Sequence, residues 1–120
     1  AASGGPLIQH SLQMMFELAK QGVYTYEFVV EKMCHVPAKL FRIKDRGYIR
    51  EGYYADLVLV NPGKSYTVTP SNILYKCGWS PLEGETFSHA IEKTFVNGYL
   101  VFDNGMVNTE IVGKPLEFNL

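Results

Sequence analysis

The sequence has 120 residues, 47% of them hydrophobic, and 11 Lys plus Arg against 12 Asp plus Glu leave a formal net charge of −1. That is enough chain for one hydrophobic core, but it lacks the basic surplus that phosphate binding requires, so a nucleic acid is not an expected partner. Nor does it contain a run of about 18 apolar residues, so no membrane span is expected.

The first third is helical in pattern. Pro6 suits the first turn of a helix, where its missing N–H costs nothing. Ile8, Leu12, Met15, Phe16 and Ala19 then recur at helical spacing, with Leu7, Met14 and Leu18 widening the apolar face. Gln9, Gln13, Glu17 and Lys20 take the opposite side, and Gly22 supplies the stop. Thr25 can cap a second helix bearing Tyr26, Val29, Val30 and Met33 on one face, with Glu27 near its positive end. Pro37 is expected to open a short third helix, from Ala38 to Phe41.

From Gly47 onward the punctuation changes to strands and turns. Ala55 to Val60 is a short apolar run closed by Asn61-Pro62-Gly63, the pattern of a buried strand ending in a turn. Ser65 to Thr69 alternates less cleanly and reads as an adjacent strand. Asn97-Gly98, set between two β-rich runs from Thr94 to Val101, favours a type I′ hairpin because both central residues must take positive φ. Asp103-Asn104-Gly105 marks the next turn. Helices followed by a small antiparallel sheet make an α+β order, and no internal repeat is present.

Little chemistry is encoded. His10, His35 and His89 include no HxH or i, i+4 pair that would place two imidazoles on one ion, so no metal ligand and no catalytic residue is assigned to this chain. His10 reads as a packed or hydrogen-bonded helix residue, His35 as the end of the second helix, and His89 as a surface residue. No GxSxG elbow accompanies the serines. Cys34 and Cys77 form no CxxC pair. Without a signal-peptide pattern they fit a reducing, cytoplasmic setting, Cys34 as a small buried hydrophobe. Asp56, a charge within an apolar run, is expected to accept from N–H groups of the preceding turn. Arg42, Lys44, Asp45 and Arg46 read as a solvated connection. Ser3-Gly4-Gly5-Pro6 carries the one functional reading: glycines let a ligand approach the backbone, and N–H groups just before a helix attract anions. A merely flexible end is the other reading of the same residues. The Gly-rich opening, without an initiator Met, reads as a cut inside a longer polypeptide.

Gly47 to Val58, Val36 to Phe41, Ala2 to Leu7, Cys77 to Gly84 and Thr94 to Gly98, taken together and in this chain's order, resemble the dihydroorotase branch of the amidohydrolase superfamily. Gly47 to Val58 is similar to the G-x-I-x-x-G-x-x-A-D-L-V segment, where such chains leave the barrel for a small β domain. Val36 to Phe41 resembles N-P-A-K-x-F, with Val36 replacing the capping Asn. Ala2 to Leu7 is similar to the S-G-x-P-G loop that follows the last barrel strand, with Leu7 where Gly is common. Cys77 to Gly84 and Thr94 to Gly98 match the S-P-F-x-G and T-x-V-N-G ending. The A-D-L segment belongs to the whole superfamily, whereas the leading loop and the Trp79-Ser80-Pro81 block tilt the choice to dihydroorotase.

The resemblance implies an α+β fragment. Residues 1–46 would be the last helices of a (β/α)8 barrel with a leading substrate loop, and residues 47–120 the C-terminal strands of a small β-sandwich domain. A barrel needs roughly 250 residues, which this chain cannot supply. The resemblance further implies that the parent hydrolyses dihydroorotate to carbamoyl aspartate in pyrimidine biosynthesis. It would use zinc held by upstream ligands, with Gly4, Gly5, Pro6 and Leu7 at the substrate and the fragment alone inactive. The rest of the polypeptide would be its partner, and a homodimer with a second copy is compatible with the resemblance. Three alternatives stay open: another cyclic amidohydrolase of the allantoinase or dihydropyrimidinase type, a non-catalytic partner subunit for a carbamoyltransferase, and a self-standing binding module. Cut free, the faces of Ile8, Met15, Phe16, Val29 and Met33 are expected to lose cover and promote association.

Overall fold

The computed structural model describes residues 4–120, so Ala1, Ala2 and Ser3, the start of the leading loop, lie outside the described residues. A 3-10 turn, Ile8–His10, leads directly into α1, Ser11–Lys20. Pro6 therefore stands ahead of the first turn rather than in it, and Leu7 flanks the helix. At the other end Gly22, at φ +78°, donates its N–H to the Ala19 carbonyl while Val23 donates to Leu18, both at 3.0 Å. This left-handed stop suits a residue without a Cβ.

Thr25 caps the second helical stretch, its Oγ1 accepting from the Phe28 N–H at 3.1 Å. The stretch runs as α2, Tyr26–Val30, through a π-helical segment, Glu31–His35, into α3, Val36–Leu40. The break expected at Pro37 does not occur. Val36 donates to the Glu31 carbonyl, five residues back. The ladder thus widens just before a proline that could neither donate nor fit a tight turn. His35 consequently lies inside the helix instead of ending it, and its ring stacks on Tyr48 with centroids 4.2 Å apart. Cys34, expected in the core, is exposed.

The second half is antiparallel β. Its strands are β1 Leu57–Asn61, β2 Tyr66–Thr67, β3 Thr86–Phe87, β4 Ala90–Val96, β5 Tyr99–Asp103 and β6 Met106–Val107. One sheet has the order β1-β4-β5-β6, and β2 pairs with β3 as a separate ribbon. The expected turn sits between β4 and β5, with Asn97 at φ 53° and Gly98 at 86°; Asn104 at 45° and Gly105 at 96° repeat it between β5 and β6. The apolar run at β1 does form a strand, but it lies at the sheet's edge. Leu57, Val58 and Leu59 are exposed, where a continuous apolar run had implied burial on both faces.

Helices and strands meet in a small mixed core that includes Ala19, Val29, Ala38, Val68, Phe87 and Ala90. Of the apolar faces expected to lie bare, Val29 is fully buried, whereas Ile8 is 83% exposed. The link between the halves is tight at Gly47. Its φ is +81°, and a Cβ there would stand 2.5 Å from the Ala38 Cβ and 2.9 Å from the Cys34 carbonyl oxygen. Only glycine lets the chain turn against the helix at that point.

Asp56 ties the helical half, the hairpin and the tail together. One carboxylate oxygen pairs with the Arg46 guanidinium, and the other accepts from the Asn97 backbone N–H at 2.7 Å and the Asn97 side-chain amide at 3.0 Å. Asn97 in turn accepts from the Lys114 N–H at 2.6 Å, and Arg46 donates to the Lys114 carbonyl at 3.2 Å. Both expectations for these residues are corrected. Asp56 reaches a turn 41 residues away rather than its own preceding turn, and Arg46, only 8% exposed, is no part of a solvated connection. Its guanidinium also lies 4.3 Å from the Tyr54 ring centroid. Removing one partner of such a pair strands a largely buried cation. Asp56→Ala is therefore expected to cost roughly 2–4 kcal/mol, less than a fully buried pair because the carboxylate is partly exposed; urea unfolding of wild type and variant measures it.

Candidate functional site

The leading loop presents the most open backbone at the start of α1. Gly4 and Gly5 are exposed, Gly4 adopts φ +99°, and nothing lies within 4 Å of where a Cβ would stand on either. A small molecule can thus come against the backbone there. Pro6 is half-buried and Leu7 exposed, and the Leu7 carbonyl accepts from the His10 N–H at 3.3 Å as the chain winds into its first turn.

What holds this loop is the polar stripe that runs from the 3-10 turn into α1, on the side opposite the apolar face. Gln9 donates from its amide to the Asn72 carbonyl at 2.7 Å and accepts from the Leu74 N–H at 2.9 Å, while its own backbone N–H donates to the Tyr75 hydroxyl at 2.7 Å. One turn on, the buried Gln13 donates to the His89 carbonyl at 3.2 Å. A further turn on, one Glu17 carboxylate oxygen accepts from both the backbone N–H and the hydroxyl of Ser88, at 2.8 and 2.7 Å. These three residues at i, i+4 and i+8 lie on one stripe, and the stripe grips the β half. Sequence reasoning placed them correctly on one face and missed their role, because a stripe facing water and a stripe facing another segment's backbone have the same letters. Tyr75 and Ser88 gave no signal at all.

His89, read as a surface residue, is 2% exposed. The Ser88 hydroxyl has one proton, already donated to Glu17, so His89 Nδ1 must carry a hydrogen to donate to Ser88 Oγ at 2.9 Å. Nε2 shares a hydrogen bond of 2.8 Å with the Tyr26 hydroxyl, accepting in the neutral ring. The ring is thereby tied to α1, α2 and the start of β4. His10 behaves differently. It is 1% exposed, packs near the Tyr66 and Phe87 rings with centroids 5.8 and 6.3 Å away, and neither ring nitrogen finds a partner among the described residues. Burial pushes its pKa down, so the neutral ring is favoured. The reading of His10 as a packed helix residue agrees with this position.

The three imidazoles lie apart, His10 in the 3-10 turn, His35 in the π segment and His89 between β3 and β4, and among the described residues no three His, Cys, Asp or Glu side chains come together in a way that could hold a metal. The donor set present here does not fit a zinc centre. Cys77 and Trp79 are exposed, with the Cys77 thiol 3.6 Å from the Trp79 carbonyl, and the adjacent Ser80 is buried with its hydroxyl accepting from the Leu82 N–H at 3.2 Å. A cavity of about 630 Å³ opens between Gln9 and Gln13 of the helical part and Ile91, Thr94, Val96 and Val101 of the sheet. Among the described residues no helix is long and apolar enough to cross a membrane.

Glu17 gives this junction a pH signature. The Ser88 backbone and hydroxyl hydrogen bonds hold its carboxyl below its ordinary pKa. A group depressed in the folded state contributes stability above its unfolded pKa and loses it as pH falls through the lowered value. The stability gap between wild type and Glu17→Gln should therefore be widest near neutrality and shrink in acid, which urea melts run from about pH 7 down to about pH 3 will read.

Comparison with known proteins adds a consistent pattern. Residues 2–101 match the Amidohydrolase family. A dihydroorotase from Pyrococcus horikoshii is 32% identical over 114 residues, covering 95% of this chain and 26% of that protein. An allantoinase from Desulfitobacterium hafniense is 30% identical over 105 residues, covering 80% of this chain and 23% of that one. Among solved structures, an L-hydantoinase (dihydropyrimidinase) from Arthrobacter aurescens superposes with a TM-score of 0.81 at 32% identity, over 91% of this chain and 25% of the other. The chain spans about a quarter of the length of the proteins it matches.

Proposed function

Because the chain belongs to the amidohydrolase family, we propose that it is the C-terminal part of a dihydroorotase, an enzyme opening the cyclic amide of dihydroorotate to carbamoyl aspartate. The observation that carries this reading is the likeness to dihydroorotases across 95% of the chain. In the proposal, residues 1–46 close the wall of a (β/α)8 barrel and residues 47–120 contribute strands to a small β-sandwich. The exposed β1 edge and the mostly apolar cavity against the sheet support the second assignment, since both offer surface for further strands. The proposed setting is pyrimidine biosynthesis in the cytoplasm.

Within that enzyme this segment supplies binding rather than bond-breaking. Gly5 and Leu7 present backbone N–H groups to the substrate carboxylate, Gly4 provides the turn that lets the ring approach, and Pro6, lacking an N–H, stiffens the loop between them. The zinc that activates water in such a reaction would be held by residues outside this chain, a reading supported by the lack of converging donors among the described residues. A second reading, hydrolysis of a different cyclic amide, is favoured by the allantoinase and L-hydantoinase likenesses.

The test is turnover. The intact polypeptide should hydrolyse dihydroorotate in preference to allantoin or dihydrouracil and lose activity to a chelator, while residues 1–120 alone should show none. Preference for another of the three amides would replace the substrate assignment, and dihydroorotate turnover by the isolated segment would overturn the division of labour.

A further inference from the structure

We propose that Gln9 and Tyr75 are positioning residues that lend the leading loop its geometry from the β half of the chain, an inference that rests on Gly4 to Leu7 being the substrate loop. A helix's first N–H groups have no intrahelical partner, and they are commonly satisfied by a side chain just before the helix. Here that local cap is missing, for Leu7 makes no side-chain cap bond. The Tyr75 hydroxyl replaces it, 66 positions away in sequence, by accepting from the Gln9 N–H. The Gln9 amide then bonds Asn72 and Leu74 as a neighbouring strand would, donating to one carbonyl and accepting from one N–H.

All three bonds end on residues 72–75, and that segment is itself braced. Thr69 and Asn72 form a reciprocal capping box around the 3-10 turn Pro70–Asn72. The Asn72 side chain also donates to the Thr67 carbonyl at 2.8 Å, and Gly78 donates to the Tyr75 carbonyl at 3.0 Å. This bracing meets the leading chain right beside the loop. Gln9 follows Leu7 by two positions, so any shift of Gln9 moves the Leu7 and Gly5 N–H groups. Binding by oriented backbone groups is sensitive to displacements of that kind.

The experiment uses the intact polypeptide and the variants Gln9→Ala and Tyr75→Phe, the latter removing a single oxygen in case the former folds poorly. KM is measured for dihydroorotate, allantoin and dihydrouracil, alongside hydrogen exchange. The expected result is a KM for the preferred amide raised about tenfold in Gln9→Ala and less in Tyr75→Phe, with kcat within about twofold. Amides of Gly5, Leu7 and Ile8 should exchange faster while those of β4 and β5 keep their protection. Unchanged loop exchange, or a kcat loss with KM unmoved, overturns the positioning role. A wild type that turns over none of the three amides overturns the functional reading instead, and loop exchange still decides whether the anchor exists.

Discussion

A single carboxylate joins the two ends of the β half to the helices. Asp56 holds Arg46, which comes straight off the helical part, and with its other oxygen fixes the tip of the β4–β5 hairpin through Asn97. A carboxylate with two oxygens and several lone pairs can serve a cation and two N–H donors at once, and a neutral side chain of the same size cannot. Asn97 needs positive φ for the turn and offers both an amide donor and a carbonyl acceptor for the network. The A-D-L and V-N-G segments are therefore halves of one device: the first provides the acceptor, and the second provides the turn it clamps. The tail joins through Lys114, and further on it pairs with the connection itself, Glu117 accepting from the Lys44 N–H at 2.8 Å and Asn119 donating to Arg42 at 2.9 Å.

Against that clamp, the second junction is softer and more polar. Gln9, Gln13 and Glu17 meet carbonyls, N–H groups and a hydroxyl, and few large apolar side chains are fully buried between the halves. Net hydrogen-bond contributions are small because water competes for the same groups. What such a junction provides is orientation. Each bond has a direction, and together they set the rotation of α1 about its axis and the entry angle of the loop before it. A greasy contact of equal area would tolerate sliding.

The same arrangement leaves apolar surface uncovered at β1, at Ile8 and along the cavity wall. Exposed apolar surface of this kind is suited to packing against further protein, and the chain spans about a quarter of its relatives' length.

Much of the local structure was legible in the letters. The stop at Gly22, the cap at Thr25, and the paired turns at Asn97-Gly98 and Asn104-Gly105 are decided by which residues tolerate positive φ or offer a side-chain acceptor next to the backbone, so a few neighbouring residues suffice. The leading loop was legible as glycine-rich and open for the same reason. Tertiary structure decided the rest. Pro37 does not break the helix, because a π segment just before it absorbs the proline, and Gly47 closes against that same helix at Cys34 and Ala38. Whether Gln9 meets water or Asn72, whether Arg46 is solvated or paired, and whether His89 is outside or tied to three elements depend on partners 10 to 76 positions away. Periodicity says which side chains share a face, but a polar face is equally content against solvent or another segment's backbone. Only the folded chain brings that backbone within hydrogen-bonding reach.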